Sequence, residues 1–142
     1  MIEDQLEDQL RRDEGEKLST YQDHLGFWTI GYGRMIDARK GGGISKDEAT
    51  MLLRNDITRV RVELLQRLPW FVHLNPVRQG VLMNMTFQMG INGVMAFQQT
   101  LAKVQSGDYI AAADCMLQSK WATQTPERAK RLAIQMREGL WQ

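Results

Sequence analysis

Between Ser45 and Pro69 the chain carries one unbroken helical pattern, and its length limits the folds open to the rest. Ser45-Lys-Asp-Glu48 is a capping box: Ser45 can accept from the backbone N–H three residues on, and Glu48 can reach back to the start. Ala49, Leu52, Leu53, Ile57, Val60 and Leu64 follow at helical spacing. Pro69 stops the run, since its ring clashes with the turn before it and it has no N–H to give. The predicted helix runs to about Leu68, and about 22 residues at 1.5 Å each make it about 33 Å long. A helix of that length could join two lobes. The 142 residues fit one domain of that kind, large enough to bury roughly two-thirds of its unfolded surface without a disulfide.

The segment before this helix changes character twice. Ile2, Leu6 and Leu10 lie four apart in charged surroundings, which predicts an amphipathic helix over 2–13. Gly15 is a natural stop for it. Residues 18–34, LSTYQDHLGFWTIGYGR, are rich in aromatic, β-branched and glycine residues. They read as short strands with turns at Gln22–Gly26 and around Gly31 and Gly33. Lys40-Gly-Gly-Gly43 reads as a flexible loop.

Beyond Pro76, the apolar residues Val77, Val81, Leu82, Met85 and Met89 predict a buried helix over 77–89. Asn92-Gly93 reads as a turn. Further helices are expected at about 94–105, 108–118 and 126–137. Asp108 caps one of them, and Pro126 takes the first helical position of another after Thr125. No internal repeat or low-complexity segment interrupts this order.

Charge and composition narrow the function. Net charge is +1, too small for a protein that lives on phosphate contacts, so nucleic-acid binding is not expected. The charge is uneven: Glu3, Asp4, Glu7, Asp8, Asp13, Glu14 and Glu16 open the chain, while Arg128, Lys130, Arg131 and Arg137 lie near its end. A basic end can attract an anionic polymer. Cys115 is the single cysteine and His24 and His73 the two histidines, so neither a disulfide nor a metal site is expected. No apolar run reaches membrane-spanning length. The acidic start, MIEDQLEDQL, is unlike a signal peptide, so the expected place of synthesis is the cytoplasm.

Two carboxylates and a hydroxyl stand out. Glu14 follows Leu10 by one helical turn, which rotates it only about 40° from the apolar stripe and aims it at the protein body. Apolar neighbours there would disfavour its charged form and suit it to donate a proton. Asp23 comes nine positions later, in a turn between strands, and Thr29 begins Thr-Ile-Gly-Tyr-Gly. Taken singly, each has an ordinary explanation as a surface or turn residue. Together they place two carboxylates and a hydroxyl on adjacent elements, and cleaving a glycosidic bond needs an acid and a base or nucleophile on opposite sides of a sugar.

The order DEG…YQD…TIGYG strongly resembles the T4-type phage lysozyme family. Three further blocks carry the resemblance in the same order: Ile44-Ser-Lys-Asp-Glu-Ala49, Asn84-Met-Thr-Phe-Gln-Met-Gly90, and Ser119 to Arg131. The resemblance implies an α+β lysozyme fold, with a small N-terminal lobe bearing a short β-sheet and a larger all-helical C-terminal lobe joined by a long helix. Residues 1–142 would form a single lysozyme domain, its lobes roughly 14–60 and 1–13 plus 61–142. It also implies a muramidase, an endolysin that hydrolyses β-1,4 bonds between N-acetylmuramic acid and N-acetylglucosamine in peptidoglycan by inversion. Glu14 is matched to the general acid, Asp23 to the second carboxylate and Thr29 to the residue that helps hold a water or faces the anomeric carbon. Met35, Asn84, Phe87, Gln88 and Thr100 match positions lining the sugar site, and Arg128 matches an arginine that crosses toward the acid. Thr100 replaces a serine and keeps its hydroxyl; Cys115 stands where the family has an asparagine. Arg34 replaces a histidine that pairs with an aspartate of the long helix. Asp56 falls at the matching place, so an Arg34–Asp56 salt bridge is expected, one that persists through neutral and alkaline pH because arginine stays charged.

No cofactor or metal is implied. The expected partner is bacterial peptidoglycan, with no nucleic acid, no membrane insertion and a monomeric enzyme. It would be made in the host cytoplasm and act on the wall after release. A lytic transglycosylase, a non-catalytic wall-binding module on the same fold, and a helical DNA-binding module remain as alternatives. The first is distinguished by an anhydro-sugar product, the second by absence of turnover.

Overall fold

A computed structural model of the chain describes residues 2–22, 24, 28–35 and 44–142. Asp23, most of the expected turn at Gln22–Gly26 and the loop Lys40–Gly43 lie outside them. The elements are α1 (Ile2–Glu14), β1 (Lys17–Gln22), β2 (Trp28–Gly31), β3 (Arg34–Met35) and α2 (Lys46–Arg67), then a 3-10 turn at Pro69–His73, α3 (Pro76–Met95), α4 (Gln98–Gln105), α5 (Tyr109–Leu117), α6 (Lys120–Gln124) and α7 (Pro126–Glu138). The chain is mostly helical with one small sheet, the α+β class the sequence implies. Its contacts divide it into two units, Glu3–Arg59 and Val60–Gln142.

In the first unit β1, β2 and β3 form an antiparallel sheet in that order. Thr29 pairs with Tyr21 on one side and Met35 on the other, and Ile30 pairs with Arg34. The strands are short because glycines set their ends. Gly31 and Gly33 both take positive φ, 71° and 74°, a conformation that a side chain makes costly.

The N-terminal half of α2 presents Ala49, Leu53 and Ile57 as a buried stripe, the four-residue spacing that brings side chains to one helix face. Ser45 caps the helix by accepting from Glu48 N–H at 3.1 Å. Polar bonds tie α1 to α2. Buried Glu7 receives Arg11 Nη2 at 2.6 Å and Arg54 Nε at 2.8 Å, and Arg11 Nη2 also reaches Thr50 Oγ1 at 2.8 Å. The sequence reading divides the chain after residues 13 and 60, whereas these bonds are made by residues of α1 and α2 that fall within one unit.

The Glu7 and Asp56 carboxyls respond differently to burial. Burial works to raise Glu7, but bonds from Arg54 and Arg11 outweigh it and hold its pKa below the ordinary value. Glu7 therefore adds stability above the ordinary carboxylate range that is lost as pH falls through the folded value. Asp56 also has two arginines, and the expected pair with Arg34 is present at 3.5 Å. Arg59 is farther, at 4.0 Å. These contacts are long and the arginines largely exposed, so burial prevails and pushes Asp56 up.

The second unit is a helical bundle in which α7 packs on α3, α5 and α6, and α4 on α5. The run Gly80–Thr86 of α3 is buried on every side, so it has no solvent-facing polar stripe, and its Asn84 and Thr86 are enclosed with the apolar residues. Leu82, Met83 and Met85 are completely enclosed, each contributing about 1.5–3 kcal/mol by leaving water. Asn75, Asp108 and Ser119 cap α3, α5 and α6 with side-chain oxygens. Arg78 closes the end of α7 by donating to Met136 O at 2.7 Å and Arg137 O at 3.1 Å. Its guanidinium also lies 3.7 Å from the centre of the Tyr109 ring.

Two expectations need correction. Asn92-Gly93 is not a turn: α3 continues to Met95, and its interruption comes earlier, at Gly90 with φ 79° and ψ 163°. Glycine makes that left-handed step without strain. The next helix consequently begins at Gln98 rather than 94. The 3-10 turn and α6 are too short to show a periodic pattern.

The behaviour of Asp56 gives the first prediction. The folded state holds this proton more tightly than the unfolded chain, whose aspartates titrate near about 3.9. Stability from this group is therefore full below that value and is lost as pH rises through the folded pKa. Thermal unfolding of wild type and Asp56→Asn from about pH 3 to about pH 7 should show the variant gaining on wild type as pH rises. A variant that loses ground over that range would mean a depressed carboxyl.

Candidate active site

Glu14 is the last residue of α1, and Gly15 ends the helix with φ 71°. The half-buried Glu14 carboxyl lies against the backbone of Gly33: a Cβ built there would stand 2.5 Å from Glu14 Oε2 and 2.9 Å from its Cδ. Both the close approach and the positive φ of 74° call for glycine at that position. Thr29 sits on β2 of the same hairpin, 2% exposed. The backbone places Met35 across from Thr29.

Tyr32 fills the tip of the hairpin between its two glycines and is itself buried. Its hydroxyl donates to Glu16 Oε2 at 2.6 Å and accepts a bond from Arg11 Nη1. Burial and the Glu16 acceptor raise its pKa, with Arg11 opposing. The hairpin tip is thereby joined to residues on both sides of Glu14 in sequence.

The other sequence-derived candidates lie in the helical unit. Arg128, in the first turn of α7, is 8% exposed and donates from Nε to Oδ1 of the wholly buried Asn84 on α3, at 3.0 Å. One helical turn along α3, Gln88 Oε1 accepts from Trp121 Nε1 at 2.8 Å. Trp121 meets Phe97 edge to face, with ring centres 6.0 Å apart. Phe87 is half-buried beside Gln88. Thr100 is buried at the wall of an open groove of about 570 Å³, which Phe97, Cys115, Ser119, Lys120 and Trp121 also line.

The bundle thus pairs Asn84 with Arg128, and joins Gln88 through Trp121 to the groove that holds Thr100. Sequence reasoning did not single out Gly33 as Glu14's neighbour, nor Trp121 and Phe97 as groove residues. A signal for the first existed in Gly-Tyr-Gly, where two glycines flank a residue that is not a turn former. For the second, a tryptophan between a cap and a proline was the clue.

Comparison with known proteins bears on both groups. The family model described as phage lysozyme matches residues 11–137. A probable T4-type lysozyme 1 from Dictyostelium discoideum is 29% identical, aligned over 89% of this chain and 90% of that protein. An endolysin of Salmonella phage P22 is 31% identical over 83% of this chain and 82% of its own length. The pre-baseplate central spike protein Gp5 of Enterobacteria phage T4 is 30% identical over 91% of this chain, which spans 27% of that protein.

The packing of Gly33 on Glu14 yields a second prediction. In Gly33→Ala the new methyl meets the far end of a flexible side chain, so the carboxyl would give way rather than the backbone. The left-handed φ should cost about 1–3 kcal/mol, read by thermal unfolding. If Glu14 is a reacting group, a misplacement on the order of 1 Å there can cost about 10²-fold, and wall-lysis activity should fall much further than stability does. An alanine variant of full activity would show that Glu14 does not depend on this seat.

Proposed function

The chain belongs to the phage lysozyme family of peptidoglycan-hydrolysing glycosidases, and on that premise we propose a muramidase whose general acid is Glu14. The supporting observation is the Glu14 carboxyl held against the Gly33 backbone at the end of α1. In this reading Glu14 protonates the glycosidic oxygen as the bond to the N-acetylmuramic acid anomeric carbon breaks. Asp23, as the second carboxylate, accepts a proton from a water that Thr29 helps to hold. Attack on the face opposite the leaving group inverts the anomeric centre. Such a water needs room, which corresponds to carboxyl groups about 6.5–9.5 Å apart.

Met35, Asn84, Phe87, Gln88, Thr100 and Arg128 are proposed to contact the sugars. The Asn84–Arg128 bond would restrain the guanidinium before substrate arrives, reducing the entropy lost on binding. Cys115 on the Thr100 groove offers a weak acceptor in place of an amide, so sugar contacts there would rest on Thr100 and its neighbours. The sheet-bearing and helical units are read as the smaller and larger lobes of a lysozyme, with α2 as their covalent connection. We read the protein as a monomer with no nucleic-acid partner, made in the host cytoplasm and acting on the cell wall after release. Among the described residues no helix is long and apolar enough to cross a membrane.

Two measurements test the reading. Glu14→Gln should lower the clearing of a peptidoglycan suspension by about 10²–10⁴-fold, the usual worth of general acid catalysis; clearing near the wild-type rate would remove Glu14 from the mechanism. Proton NMR of the earliest product should show the inverted anomer at the new reducing end. Retention would place the nucleophile on the enzyme, and an anhydro sugar would mean a transglycosylase.

A further inference from the structure

Tyr32 stands between two glycines that both take positive φ. Glycine has no Cβ and the widest conformational freedom of any residue, so neither neighbour by itself fixes where the hairpin tip lies. Gly33 could not be exchanged for a stiffer residue, because Glu14 Oε2 and Cδ crowd the place a Cβ would take. Pairing of β2 with β3 ends at Ile30 and Arg34, and beyond it the tip carries one side chain, that of Tyr32, which is 4% exposed. The phenol is held from both sides of Glu14. Arg11, three residues before Glu14 on α1, donates to its oxygen through Nη1. Its own proton goes to Oε2 of Glu16, two residues after Glu14, at 2.6 Å. Arg11 Cζ also lies 4.7 Å from the ring centre. The guanidinium is fixed in turn by Glu7 at 2.6 Å and Thr50 at 2.8 Å, and Glu7 by Arg54 at 2.8 Å. One oxygen thus straps the tip to the end of α1 and to the segment that follows it.

We propose that Tyr32 is a positioning residue, whose hydroxyl, shared between Arg11 and Glu16, holds Gly33 against Glu14 and so sets where the Glu14 carboxyl stands for reaction. This role rests on Glu14 being the general acid. Phenylalanine would bury the same ring and fill the same space, so the hydroxyl alone separates the two residues. Without it the ring would stay packed, but Arg11 and Glu16 would lose their common partner, and the two stretches flanking Glu14 would no longer be tied to the tip. A residue buried this deeply is out of a sugar's reach, so its effect on the reaction passes through the placement of Gly33 and Glu14.

The test is Tyr32→Phe in the full chain, with kcat and KM measured on a defined peptidoglycan oligosaccharide well below the unfolding temperature. The value of kcat should fall by about 10-fold or more, toward the roughly 10²-fold that a misplacement on the order of 1 Å costs, while KM stays close to wild type. In the Glu14→Gln background the same substitution should cost nothing further, since residues that act as one unit are not additive. The contact itself is read without turnover by the nuclear Overhauser effect between the Glu14 Hγ and Gly33 Hα protons, which should weaken in Tyr32→Phe. Arg11→Lys keeps the charge but gives up the planar fork; it should act in the same direction, and it serves if Tyr32→Phe does not fold. If Tyr32→Phe lowers the melting temperature but leaves kcat unchanged, or if kcat falls with the Glu14–Gly33 signal intact, Tyr32 does not place the acid and the proposal is overturned. A full further loss in the Glu14→Gln background overturns it too, because the effect would then bypass Glu14. Failure of the underlying assignment is separate: Glu14→Gln alone would then keep its activity, whatever the Glu14–Gly33 signal does in Tyr32→Phe.

Discussion

The guanidinium of Arg11 is the interaction on which the candidate catalytic unit depends. A half-buried charge has to be bonded on most of its donors, because each unmatched one would be stripped of water without return. Arginine meets that demand with a planar fork of five donors. Here the fork reaches a carboxylate on its own helix, a threonine on α2 and a phenol at the tip of a hairpin. Three segments far apart in sequence are thereby fixed to one planar group. Glu14 ends the helix that carries Arg11, and Gly33 follows the tyrosine that Arg11 grips, so the contact of Glu14 with Gly33 inherits its geometry from this one side chain.

Distance decides what each buried carboxylate contributes. Glu7 and Asp56 are both largely buried and both face two arginines. Around Glu7 the closest contacts are 2.6 and 2.8 Å with hydrogen-bonding geometry; around Asp56 they are 3.5 and 4.0 Å. Short charge-assisted bonds recover the cost of desolvation, whereas longer contacts to exposed arginines do not. The same count of ion pairs therefore lowers one pKa and raises the other.

The helical unit solves a different problem, since its central helix has no solvent face along much of its length. Polar residues enclosed there must find partners inside the protein. Thr86 donates back to Leu82 O at 2.7 Å, Gln135 reaches Val77 O at 2.9 Å, and Asn84 receives Arg128. The first stays within α3, and the second ties α7 to α3. Gln88, bonded to Trp121 at the groove wall, fixes the indole ring there.

Sequence alone determined the elements with long periods and strong punctuation. The long helix from its capping box to Pro69, the amphipathic first helix, the glycine-bounded strands and the start at Pro126 all follow from local chemistry: caps, breakers and spacing act within a few residues. The same order of residues, DEG to TIGYG, was enough to indicate the chemistry and to propose Glu14, Asp23 and Thr29 as its carriers. Tertiary structure decided what local chemistry leaves open. Asn92-Gly93 has the composition of a turn, yet the break falls at Gly90 and Asn92-Gly93 lies in the helical stretch that follows it. Arg34 and Asp56 form the expected pair, but whether it outweighs burial depends on fractions of an ångström between distant segments. The choice of Glu7, rather than Glu14, as the partner of Arg11 is of the same kind. Both acids are within one helical turn of it, and only the positions of Arg54, Thr50 and Tyr32, brought in by folding, decide between them.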